Sequence, residues 1–119
     1  MSEAQAIKEN VGIVRNLTAF QQNILAILAE EPRYGLAIKE ELETYYEDEV
    51  NHGRLYPNLD DLVSEGLVDK SELDKRTNQY ELTDDGEEAV LNRIEWVLSK
   101  YVTDDDGDRA SDVADLIDA

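Results

Sequence analysis

A proline stands inside a leucine ladder. In NHGRLYPNLDDLVSEGLVDK, residues 51–70, Leu55, Leu59, Leu62 and Val63 recur at i, i+4, i+7 and i+8, the spacing of one buried helical face. Pro57 has no N–H to donate and fits such a helix without cost only in its first turn, which predicts a start near Arg54. Gly66 falls where a left-handed C-terminal cap belongs. Beyond it the period changes. LVDKSEL and TNQYELT, separated by the charged turn DKR at 74–76, are short strand candidates and predict a hairpin. A glycine-capped helix running directly into a hairpin leaves few folds open.

The flanking segments narrow them further. Residues 2–16 place Ile7, Val11 and Val14 on one face of a short amphipathic helix, with Ser2 as its N-cap candidate. Thr18 and Gln21 form a T-x-x-Q capping box ahead of Phe20, Ile24, Ile27 and Leu28, and Pro32 stops that helix near Glu30. A further helix is expected from Tyr34 to Tyr46, with Ile38, Leu42 and Tyr45 inward. Thr83 is an N-cap for a last long helix, in which Val90, Ile94, Val97, Leu98 and Tyr101 share a face. The expected fold is mainly α with a small β-hairpin wing, a winged helix-turn-helix. It divides into an N-terminal helix (1–17), a DNA-binding domain (18–83), a dimerisation helix (84–102) and an acidic tail (103–119). The tail is polar enough to be mobile, with Val113, Leu116 and Ile117 sufficient for one docking turn.

Charge is the second constraint. The 119 residues carry a formal net charge of −18, and residues 103–119 supply only −6 of it, seven Asp against one Arg. A basic partner, an acidic tail and adaptation to high salt each account for an acid excess. Acids spread through every segment favour high salt, since a single docking patch would not need them. With no cysteine, disulfides, thiolate zinc sites and direct thiol sensing are excluded. The apolar run ILAILA at 24–29 is far too short to cross a bilayer, and a cytoplasmic location is expected. No catalytic constellation or phosphate loop is present, so neither an enzyme nor a cofactor is expected. DDDGD at 104–108 lacks the remaining spacing of a calcium loop, leaving only non-specific cations at the acidic surface.

Three blocks, YGLAIKEEL, GRLYPNLDDLVSEGLV and NQYELTDDG, resemble the signature blocks of PadR-type winged-helix transcriptional regulators. The resemblance spans roughly residues 18–101, and the Tyr-Pro beside the leucine ladder is its most specific part. With the acidic surface, the chain looks like a haloarchaeal member. The resemblance implies a homodimer held by the terminal helices and bound to duplex DNA. The apolar face of the last helix, Val90, Ile94, Val97, Leu98 and Tyr101, is the expected dimer interface because Trp96 and Tyr101 add aromatic area, with packing against its own domain the alternative. A part in oxidative-stress response would require a signal that reaches the chain without a thiol. Two departures stand out. Asp60 and Asp61 occupy the helix after YPNL, where basic residues are usual, and the C-terminal dimerisation region is short.

Arg54 is the leading base-reading candidate, because a guanidinium pairs bidentately with guanine in the major groove. An ion pair with Glu47, Asp48 or Glu49 is the competing assignment. Tyr56 and Asn58 are expected beside Arg54 on the face opposite the leucines, with packing the alternative for Tyr56. Asn51 and His52 precede the helix, within reach of phosphates or base edges. Lys70, Lys75, Arg76, Asn78 and Gln79 form a wing cluster for the minor groove or adjacent phosphates, against an ordinary charged hairpin as the alternative. Tyr34 and Lys39 are candidates for backbone contact. Residues 31–82 nevertheless hold six Lys plus Arg and fourteen Asp plus Glu, a net −8. The competing function is therefore an acidic winged-helix module that docks on a basic protein.

Overall fold

The computed structural model describes residues 16–74, 77–103 and 107–119. The helix expected over 2–16, with Ile7, Val11 and Val14, lies outside them, as do Lys75 and Arg76. The elements run α1 (Ala19–Glu30), β1 (Arg33–Tyr34), α2 (Gly35–Tyr46), α3 (His52–Ser64), β2 (Val68–Asp74), β3 (Thr77–Leu82), α4 (Asp84–Tyr101) and α5 (Gly107–Asp118). Three helices, a hairpin and a closing helix make the winged helix that the sequence predicts.

Helices α1, α3 and α4 each start where a side chain satisfies a first-turn backbone donor, whereas α2 begins after Tyr34 with no side-chain cap. Thr18 accepts from the Gln21 N–H at 3.1 Å while the Gln21 side chain accepts from the Thr18 N–H, completing the capping box. Thr83 accepts from the Gly86 N–H at 3.0 Å, and Asp84, Asp85 and Glu87 place negative charge in the first turn of α4. Gly66, at φ 79°, ends α3. Its N–H donates to the Val63 carbonyl and that of Leu67 to the Leu62 carbonyl, both at 3.0 Å. This is the paired closure of a left-handed cap, with Leu62 and Leu67 buried beside it.

The core joins Phe20, Ile24, Leu25 and Leu28 of α1 to Ile38 and Leu42 of α2 and to Leu55, Leu59 and Leu62 of α3. Leu67, Val68, Tyr80 and Ala89 close it from the wing and α4. All three ladder leucines are fully buried, so truncating any of them to Ala should cost about 2–5 kcal/mol.

Four expectations change. Tyr45 is 70% exposed, because the inward stripe of α2 is Gly35, Ile38, Leu42 and Tyr46, and Tyr46 packs instead, stacked 6.2 Å from Phe20. Helix α3 starts at His52, not near Arg54, since the Asn51 side chain accepts from the Arg54 N–H at 2.9 Å. Pro57 therefore lies in the second turn, and the carbonyl it leaves without a donor belongs to the exposed Gly53. The sheet has three strands rather than two, in the order β1-β3-β2, because Arg33 and Tyr34 pair antiparallel with Tyr80 and Gln79. A two-residue strand carries no detectable period of its own. Finally, the segment expected as a tail contains α5, whose Val113, Leu116 and Ile117 share one face. Leu116 and Ile117 are each 77% exposed.

Candidate nucleic-acid interface

The outward ridge of α3 follows from the positions of its leucines. Leu55, Leu59 and Leu62 point into the core, so Gly53, Pro57, Asp60, Asp61 and Ser64 occupy the opposite side, and all five are exposed. Its first half, Gly53 and Pro57, is small and uncharged. The second half carries two carboxylates.

The polar candidates sit on the flanks of that ridge, and most are held by neighbours. Arg54 places its guanidinium 4.0 Å over the Phe20 ring and 5.8 Å from that of Tyr46. Among the described residues it makes no ion pair with Glu47, Asp48 or Glu49, the alternative that the sequence offers for it. Asn58 donates to the Arg54 carbonyl at 2.7 Å and accepts from the Gln21 side chain at 3.1 Å, which stitches α3 to α1. Tyr56 is half-buried on the other flank, against Gly35, where an added Cβ would lie 2.7 Å from its hydroxyl. The Tyr of one signature block therefore explains the Gly of another. His52 stacks parallel to Tyr56 at 5.5 Å. Tyr56 and Asn58 thus lie beside the ridge, not on the face opposite the leucines.

The loop before α3 is fixed by Glu43. Its carboxylate accepts from the Val50 N–H at 2.9 Å and from Lys39 at 3.0 Å. The Val50 N–H, followed by Lys39, holds its pKa below the ordinary carboxylate value of 4.5. Lys39 is accordingly engaged within α2. Glu47, at φ 55°, turns the chain out of α2 in a conformation that costs a non-glycine residue roughly 1 kcal/mol.

The wing divides its candidates between two faces. Lys70 opposes Tyr80, and Asn78 opposes Glu72, on the face that turns Tyr80 into the core. Gln79 lies between Tyr34 and Ser71 on the other face. Lys70 and Tyr34 are exposed, while Asn78 and Gln79 are half-buried. The structure thus brings together Tyr34 with Gln79, Lys70 with Asn78, and His52 with Tyr56, but no single surface gathers all the candidates. Phe20 and Tyr46, the platform under Arg54, were not anticipated as site residues. Phe20 reads as core at its helical spacing, and nothing local marks a core ring as an arginine's seat.

On α4 the expected interface residues are unevenly placed. Val90 and Leu98 are half-buried, whereas Ile94, Val97 and Tyr101 are 49%, 43% and 44% exposed. Among the described residues no helix is long and apolar enough to cross a membrane.

The model of the transcriptional regulator PadR-like family matches residues 24–92, from α1 into α4. The chain belongs to that family. This PadR-like chain is similar to the protein in a solved structure described as the complex structure of hsRosR-S4, at 62% identity over 91% of this chain and 92% of the other, with a TM-score of 0.87. A structure of Halobacterium salinarum RosR grown from NaBr is 65% identical over 87% of this chain and 92% of that one, with a TM-score of 0.83. The transcriptional activator GvpE of Haloferax mediterranei is 29% identical over 80 residues, 67% of this chain; the match spans 40% of GvpE's length. These PadR-like relatives are transcriptional regulators and not enzymes, and haloarchaeal members fit a salt-adapted acidic surface.

Proposed function

We propose that this PadR-like regulator works in the cytoplasm as a homodimer that binds a palindromic duplex site at high salt. The observation that carries the reading is the exposed first half of α3, uncharged at Gly53 and Pro57 and flanked by Arg54 and the wing. A helix can press such a ridge into the major groove without bringing carboxylates onto the phosphates. Arg54 then reads a base by leaving the Phe20 ring, Asn51 and His52 reach the adjacent strand, and the wing flanks the backbone. Exposed Ile94, Val97 and Tyr101 on α4 support the second subunit, whose reading helix would lie about one turn of DNA away, ~34 Å. Cations between Asp60, Asp61 and the phosphates offset the remaining repulsion.

A genome-wide pull-down of bound DNA, followed by titration of an enriched site at low and molar potassium chloride, tests this. A palindromic motif bound at molar salt is expected. Affinity that falls at the usual steep slope with rising salt would remove the high-salt part of the proposal. Monomeric mass at all salt concentrations would remove the dimer.

Asp60 and Asp61 on the exposed ridge favour one other reading, an acidic winged-helix module that docks on a basic protein. Arg54→Ala separates the two. Loss of sequence-specific DNA binding is expected only if α3 reads DNA.

A further inference from the structure

The wing carries one residue that its strand does not account for. In β2 every residue after Val68 is exposed, and all are polar except Leu73, which is 54% exposed. The ladder also changes at that residue. Glu72 opposes Asn78 and Asp74 opposes Thr77, so two steps along β2 face one step along β3, and Leu73 is the extra residue. A bulge of this kind bends the strand and re-aims the side chain it carries. At roughly 3.3 Å per residue, the position lies about 17 Å out from Val68, near the far end of the hairpin.

We propose that Leu73 is an apolar DNA-contact residue, placed by the bulge against the deoxyribose walls of the minor groove beside the site read by α3. The inference rests on the DNA-binding reading above. Apolar side chains enter minor grooves as wedges elsewhere, and the contact needs no charge. That matters for a chain of net charge −18, which gains little from counterion release at molar salt. An apolar contact keeps its strength under salt that screens ion pairs. Removing an exposed leucine from this polar strand would cost the isolated protein little, so its substitution reports on a partner surface and not on folding.

The test compares intact wild type, Leu73→Ser and Leu73→Met on an enriched genomic duplex by fluorescence anisotropy, at low and at molar potassium chloride. Leu73→Ser should bind about tenfold more weakly at both salts with the same salt slope, while Leu73→Met stays within about twofold of wild type. Melting temperature and dimer mass should match wild type in both variants. Unchanged affinity for Leu73→Ser overturns the inference. So does a loss confined to low salt, or one that follows a fall in melting temperature or dimer mass. A wild-type chain that binds no duplex fails the underlying reading instead, and is told apart by that control.

Discussion

Gly86 shows how one signature residue is fixed by contact alone. A Cβ there would collide with the Leu67 carbonyl oxygen and lie 2.6 Å from the Leu82 side chain. Both belong to the base of the wing, where the Thr83 N–H also donates to the Leu67 carbonyl at 3.1 Å. Backbone cannot yield as a side-chain end can, so Gly86→Ala should destabilise the fold by about 3 kcal/mol, read from the urea midpoint in molar salt. Arg54 differs in kind, because its two roles are separable. Its seat on Phe20 covers a core ring with the arginine stem, and exposed cation–π contacts contribute about 0.5–1 kcal/mol. Arg54→Met keeps the apolar cover and should melt within a few degrees of wild type while losing specific DNA binding. If Arg54→Met still binds its site, the arginine is a packing residue.

At the scale of elements, the join between α2 and α3 is the most specified part of the fold. Glu43 links Lys39 in α2 to the Val50 N–H, and Val50 is buried next to the Asn51 cap of α3. A carboxylate with a depressed folded pKa adds stability that is complete above its ordinary value of 4.5 and is lost as pH falls through the lower folded value. Glu43→Gln should therefore flatten the stability curve below about pH 4.5 relative to wild type, measured by denaturant titration across that range. Equal slopes in the two proteins would show that the contact does not persist in solution. This join also marks the limit of what the sequence makes legible. Caps, the leucine ladder, the Gly66 turn and the hairpin are local patterns, and each was readable from spacing. Strand β1 and the seats of Arg54, Asn58 and Tyr56 depend on Tyr80, Phe20, Gln21 and Gly35, which are distant in sequence. Only the register of the folded elements reveals them. Helix α5 is not legible for a different reason: its acids dominate its composition, while its apolar face is one narrow stripe.

For the whole molecule, the distribution of its few cations decides how it meets salt. Among the described residues, Arg33 is ringed by Glu30, Glu31 and Glu41, and Lys39 pairs with Glu43. Arg54 lies on Phe20, Arg93 and Lys100 both lean on Trp96, and Arg109 lies over Tyr101. More of these cations rest on aromatic rings than in ion pairs, although carboxylates surround them in excess. Ring contacts depend on close approach and dispersion, so they survive the screening that weakens exposed ion pairs. Carboxylate repulsion behaves in the opposite way. At about 0.01 M salt the screening length is ~30 Å, so acids across the whole domain repel one another, whereas at 1 M it is ~3 Å and only near neighbours do. The melting temperature should accordingly climb steadily from low to molar potassium chloride. Replacing potassium chloride by sucrose at matched osmolality should give a smaller rise, because sucrose strengthens burial but does not screen charge. A melting temperature that is flat with salt would mean that the acids repel too weakly to matter, and the composition would then have to answer to a basic partner.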